Sequence, residues 1–167
     1  MPQTINIAPQ SVTMVQALRI RDMVATSTVF MERLGVEEIR LSTKRVFVNY
    51  VEKAFADIER PFAIVQMGET TKEVDAGGIQ NVYLGSGTVK VSYFDNDRLP
   101  KDHGNSLIQF YNFFEAAWED VLQCSGFNGL PKITKSTVSV PMLTGDEKRG
   151  GETPFWAVDI AAEWSQL

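Results

Sequence analysis

GNSLIQFYNFFEAAWEDVLQCSG, residues 104–126, is the stretch whose reading decides the fold. Leu107, Phe110, Tyr111, Phe114, Trp118, Val121 and Leu122 recur at three- and four-residue steps, which places them on one face of an α-helix. Ile108 and Phe113 widen that stripe beyond what a solvent-facing helix carries. Asn105 or Ser106 can cap the first turn by accepting a backbone N–H, and Gly126 can take the left-handed conformation that closes the last. Glu115, Glu119 and Asp120 fall on the wet side. A helix this apolar needs a large partner surface, most simply a sheet.

The flanking sequence supplies that sheet. Upstream, Arg45-Val46-Phe47-Val48 is short and β-branched, and Phe62–Met67 is an apolar run bounded by proline and glycine, the pattern of a strand buried on both faces. Asn49–Glu59 between them is amphipathic and reads as a loop with a helical turn. Gly68–Asn81 is polar and reads as a loop or hairpin tip. Val82–Asp95 alternates, with Val89, Val91 and Tyr93 on one face and Lys90 and Ser92 on the other. Downstream, Ile133–Leu143 alternates around Val138, Val140 and Met142, and Pro141, which has no N–H to donate, predicts an edge or a break in pairing. Phe155–Trp164 puts Trp156, Val158, Ile160, Ala162 and Trp164 on one face. Its other face carries Phe155, Ala157 and Ala161, more apolar than a free surface. Near the start, Ser11 caps a helical stretch with Val15, Leu18, Asp22 and Ala25 in one row, and Thr28–Leu34 ends at Gly35; one helix or a bent pair both fit. Residues 1–10 read as a flexible arm. The expected architecture is a single α+β domain: a mixed or antiparallel sheet of four to five strands with two main helices on one face.

Composition narrows the function classes. With 167 residues the chain can bury a real core, and 44% hydrophobic with 22% charged residues is ordinary globular usage. A net charge of −5 argues against a dedicated nucleic-acid binder, which needs clustered Lys and Arg. The one cysteine, Cys124, leaves no internal disulfide and reads as a small buried hydrophobe. No signal peptide or membrane span is visible, so a soluble, cytosolically made protein is expected.

Little in the chain spells out chemistry. Gly85-Ser86-Gly87 precedes a strand rather than a helix, so it reads as a hairpin or bulge and not a phosphate loop. The richest polar cluster is Asp95, Asp97, Asp102 and His103. These residue types can hold a hard divalent cation or serve a hydrolase, but the spacing matches no calcium loop and loop aspartates are ordinarily turn formers. No catalytic residue, cofactor or metal is expected, nor enzymatic activity. Trp118, Trp156 and Trp164 read as core or interface aromatics. Gly77-Gly78 and the charged loop around Lys148, Arg149, Gly150 and Gly151 read as permissive contact loops, and with Phe155 and Ala157 they form the candidate interface.

A leading helix, a short strand at Arg45–Val48, a proline-led apolar strand (Arg60-Pro61-Phe62-Ala63-Ile64-Val65), a long alternating strand, an aromatic-rich helix and a terminal hairpin ending in PFWAVDIAAEW follow one another here. This order resembles the tail terminator (tail-completion) proteins of tailed bacteriophages and prophages, over most of the chain after residue 11. The resemblance implies a structural virion protein that caps the tail tube as a hexameric ring, with the tube protein and a head-completion or connector protein as partners. It would stand in the host cytoplasm during assembly and at the neck-proximal end of the virion tail afterwards. Another head–tail connector is the alternative within that biology. A small-molecule-binding or hydrolytic domain built on the Asp95–His103 cluster is the alternative outside it.

Overall fold

The computed structural model describes residues 11–51, 57–73, 84–145 and 153–166. In chain order these form α1 (Val12–Ala25), α2 (Thr28–Leu34), α3 (Ile39–Thr43), β1 (Val46–Val48), β2 (Phe62–Glu73), β3 (Leu84–Asn96), α4 (His103–Cys124), β4 (Lys132–Val138), β5 (Met142–Thr144) and β6 (Phe155–Ser165). The expected arm, residues 1–10, lies outside the described residues.

The strands make one mixed sheet in the order β1-β2-β3-β6-β4, with β5 also on β6. β1 runs parallel to β2, and every other pairing is antiparallel. The helices pack on one face. There, Ala63 and Val65 of β2, Val89, Val91 and Tyr93 of β3, and Trp156, Val158, Ile160, Ala162 and Trp164 of β6 meet Phe110, Phe113, Phe114, Ala117, Trp118 and Val121 of α4. The period-two and period-3.6 readings of these segments therefore converge on one core. Each strand residue pointing at α4 has a neighbour pointing away from it.

α4 begins two residues earlier than its apolar stripe suggests. Its N-cap is Asp102, whose carboxylate accepts from Asn105 N–H at 3.2 Å, so neither Asn105 nor Ser106 caps it. Ser106 is buried and accepts instead from Trp156 Nε1 at 3.0 Å. Ile108, expected in the stripe, is exposed, whereas Phe113 is buried. Asp120, read as solvent-facing, accepts from Ser27 Oγ at 2.7 Å. That same hydroxyl caps α2 by accepting from Phe30 N–H, so one serine ends a helix and ties it to α4.

The N-terminal stretch is a pair of helices, broken at Thr26 and Ser27, with Gly35 at φ 73° closing α2 in the left-handed region. The buried residues of α1 are Gln16, Ala17, Ile20, Met23, Val24 and Ala25, while Asp22, read in one row with Val15, Leu18 and Ala25, is exposed. α3, which the sequence reading did not mark, packs behind α1. Its Ser42 Oγ donates to Ala25 O at 2.7 Å and so satisfies a carbonyl at the end of α1.

β2 continues through Gly68–Glu73, which reads as loop in the sequence. Its register against β3 slips between Met67 and Thr70, a bulge flanked by two glycines. A side chain at Gly68 would collide with Thr88, and one at Gly87 would meet Glu69 O and the ring of Trp164. The Gly85–Gly87 pattern thus belongs to a strand beside a bulge, as its position before a strand predicts.

Candidate functional site

The sheet face away from the helices divides into two regions. At one end Phe62, Ile64, Phe94, Phe155 and Ile58 form a second buried cluster, with Phe47, Val51 and Ala157 packed against it. Phe62 and Phe94 stack at 4.5 Å between ring centroids, Phe47 meets Phe62 edge-on at 5.9 Å, and Arg60 lies 4.5 Å over Phe155. Phe155 is 4% exposed, so part of the apolar excess expected on this face is internal to the chain. Ala157 is half-buried and Ala161 exposed. At the other end the face is an open trough of about 650 Å³ whose lining includes Gln66, Lys90, Lys135, Thr137 and Glu163. The cations Lys90 and Lys135 and the carboxylate Glu163 all line this trough, so it has no single sign of charge.

The remaining sequence-marked interface residues, Gly77, Gly78, Lys148, Arg149, Gly150 and Gly151, lie outside the described residues.

The Asp95–His103 cluster is split among three separate tasks. Asp95 is buried and accepts from Arg33 Nε at 2.7 Å, Arg98 Nη2 at 3.2 Å and Asn96 N–H at 2.8 Å. Arg33 also lies 5.5 Å over the ring of Phe113, so this ion pair joins α2, β3 and α4. Asp97 is enclosed, with His103 Nδ1 2.8 Å from its Oδ2, and neither carboxylate oxygen accepts a hydrogen bond from the described residues. Asp102 caps α4. Among the described residues no three His, Cys, Asp or Glu side chains converge as metal donors.

Cys124 is half-buried, and its thiol donates to Val121 O at 3.3 Å. Burial pushes the thiol pKa up, and the nearby Asp120 charge adds to this, which keeps it protonated rather than nucleophilic. Trp118, Trp156 and Trp164 are all buried core residues, as read.

The most telling surface is the stretch that the sequence reading placed in alternation, with Pro141 marking an edge or a break in pairing. Pairing between β4 and β6 runs through Val138, and the edge resumes as β5 at Met142, with Pro141 in the gap, as its missing N–H predicts. Along this free edge Val138 (42% exposed), Val140 (79%), Met142 (69%) and Leu143 (37%) stand in water. The opposite edge, at β1, exposes Tyr50 (71%) together with Ile39 and Leu41 of α3. The signal for the first edge was present in Pro141: a proline-marked edge strand with apolar alternation has no neighbour to bury that alternation against. Tyr50 and α3 carried no such mark.

Fold and surface together define a mixed-sheet α+β protein whose distinctive described features are two apolar edges. No family model matches the chain, and no curated protein sequence matches it. Among solved structures, it is similar to a chain of a particle described as the virion of a native gene transfer agent, with a TM-score of 0.44 and 10% sequence identity over 93% of this chain and 99% of that one. No helix among the described residues is long and apolar enough to cross a membrane.

Proposed function

We propose that this chain is a structural virion assembly protein of the tail terminator kind, which closes into a ring on a phage tail tube and presents a surface for head–tail joining. The observation that carries this reading is the row Val138, Val140, Met142 and Leu143 along an unpaired sheet edge. A lone chain leaves that row in water, and assembly covers it. The resemblance in element order, from the leading helix to the terminal strand, supplies the kind of assembly. The ring is most simply a hexamer, the tube protein and a head-completion protein are its neighbours, and Gly77-Gly78 and Lys148–Gly151 are further contact loops in this proposal. No cofactor enters the reading.

Sedimentation velocity and native mass spectrometry over a wide concentration range, with and without tail-tube protein, test it. The expected outcome is a closed ring that grows with concentration or appears on the tube. A strict monomer that never engages the tube would sink the reading, and would return attention to ligand binding at the open trough.

A further inference from the structure

Where α4 ends, the chain turns back through residues 125–131 into β4. That loop is closed on itself: Gly126 N–H donates to Pro131 O at 3.1 Å, and Leu130 N–H donates to Phe127 O at 2.9 Å. Arg19 of α1 holds it from outside, with Nη1 donating to Gly129 O at 3.1 Å. Arg19, the loop, Lys132 at the start of β4 and Gln166 just after β6 line a pocket of about 440 Å³. Phe127 also lines it and is 66% exposed.

The polar groups of this pocket point to one kind of ligand. Two cations, Arg19 and Lys132, line it, and among the described residues no carboxylate lines it or pairs with either of them. Ser125 Oγ accepts from Ile133 N–H at 2.9 Å, and its own O–H has no acceptor among the described residues. Gln166 Oε1 accepts from Gln16 Nε2 at 2.8 Å, which leaves Gln166 with N–H to offer. The other charged depressions differ. The trough on the sheet carries Glu163 beside its lysines, and the depression at Arg33 and Arg98 carries Glu32, with both arginines already on Asp95.

Cations near a helix C-terminus ordinarily serve its free carbonyls. Here Val121 O and Leu122 O accept from Ser125 N–H, and Cys124 O accepts from Phe127 N–H, so backbone donors already perform that task. Lys132 is also held in place. A Cβ added at Gly126 would sit 3.5 Å from its Cβ and Cγ, so the stem of the lysine lies along the glycine.

We propose that this pocket binds a small oxyanion, a carboxylate or phosphate group, whose apolar body rests on Phe127. Arg19 and Lys132 supply the opposing charge, and Ser125 and Gln166 add neutral donors. Pockets from about 300 Å³ upward hold small organic ligands, so the space suits such a molecule. The proposal does not depend on the ring reading, since every residue it uses belongs to one copy of the chain.

The test titrates the full chain, labelled with ¹⁵N, at fixed ionic strength. The probes are phenyl phosphate, benzoate, inorganic phosphate and benzamide, the last being the neutral counterpart of benzoate. Phenyl phosphate and benzoate are expected to give saturable shifts at the amides of Arg19 and Ser125–Lys132, and the tighter of the two identifies the preferred group. Inorganic phosphate should bind more weakly there, and benzamide should give no shift. R19Q and K132Q are each expected to weaken binding of the tighter probe by about tenfold, the loss of one hydrogen bond to a charged group. F127S should bring phenyl phosphate down to the level of inorganic phosphate. Because Arg19 also anchors the loop, circular dichroism melts accompany R19Q, and K132Q, at an exposed position, decides the matter if R19Q is unfolded. An affinity unchanged in K132Q would place the anion elsewhere and overturn the proposal. So would benzamide shifts equal to those of benzoate, or the absence of any saturable shift with either aromatic anion.

Discussion

Tyr93 is fully buried between Phe30 and Phe113, edge-on to both, and its hydroxyl finds no hydrogen-bond partner among the described residues. An unsatisfied buried hydroxyl costs about 1–3 kcal/mol, so Tyr93→Phe is expected to stabilise the fold by about 1 kcal/mol in a urea titration. A destabilised variant would show that the hydroxyl has a partner after all. Burial, with the negative charge of Asp120 adding to it, raises the pKa of this phenol well above its ordinary value. Above roughly pH 10 the unfolded chain therefore releases a proton that the folded chain keeps. The folded state then binds more protons, so stability that is intact below that pH is lost as pH rises, and Tyr93→Phe should flatten this alkaline decline. Phe114, at the centre of the same core, is fully buried; Phe114→Ala should cost about 3–5 kcal/mol, and a change near zero would contradict its placement. Such positions were legible in the sequence because periodicity alone fixes them. The ring neighbours of Tyr93 and the missing partner of its hydroxyl depend on which residues of distant segments meet, which no local pattern states.

At the scale of elements, the start of α4 is the informative case. Asn105 and Ser106 are good capping types, and nothing local separates them from Asp102 three residues earlier. The choice falls on Asp102 because Ser106 is occupied by Trp156 from a strand fifty residues away. Asp102→Ala is expected to cost about 1 kcal/mol, as the loss of an N-cap does, and more than Asn105→Ala. Equal midpoints for the two variants in thermal or urea unfolding would mean the cap is shared. The same tertiary reasoning explains α3. Five residues with no apolar period gave no helical signal, and Ser42 bonding to the end of α1 is what gives that turn its place. The strands were easier, since alternation over β3 and β6 is long enough to fix both faces. β2 was legible only to Met67, where the apolar run stops, although pairing with β3 continues through Glu73.

On the scale of the whole molecule, the layered architecture followed from the order of elements, whereas the surfaces did not. Phe155 looked like surplus apolar surface because its cover, Arg60 and the phenylalanines of β2 and β3, is remote in sequence. Val140 and Met142 read as alternation beside a proline that marks an edge or a break in pairing, but the sequence does not say how much of each side chain that edge leaves in water. If those side chains meet a second copy only when the chain is folded, assembly must raise the melting temperature with protein concentration. Calorimetry of the parent across a hundredfold concentration range is expected to show that rise, and V140D/M142D is expected to show none. A parent melting temperature independent of concentration would count against assembly in that range.

The bulge between Met67 and Thr70 has one more effect. On its inner side, Ala63 to Met67 are locked to β3 by the core, where a slip of one residue would turn every side chain to the wrong face. On its outer side, Thr70 to Glu73 keep a different register with Gly87 to Leu84. The extra residue makes the two registers independent, like a slip joint between a frame and a boom. A residue gained or lost within Thr70–Glu73 would then change the pairing of the outer arm while Ala63–Met67 keep theirs against the core.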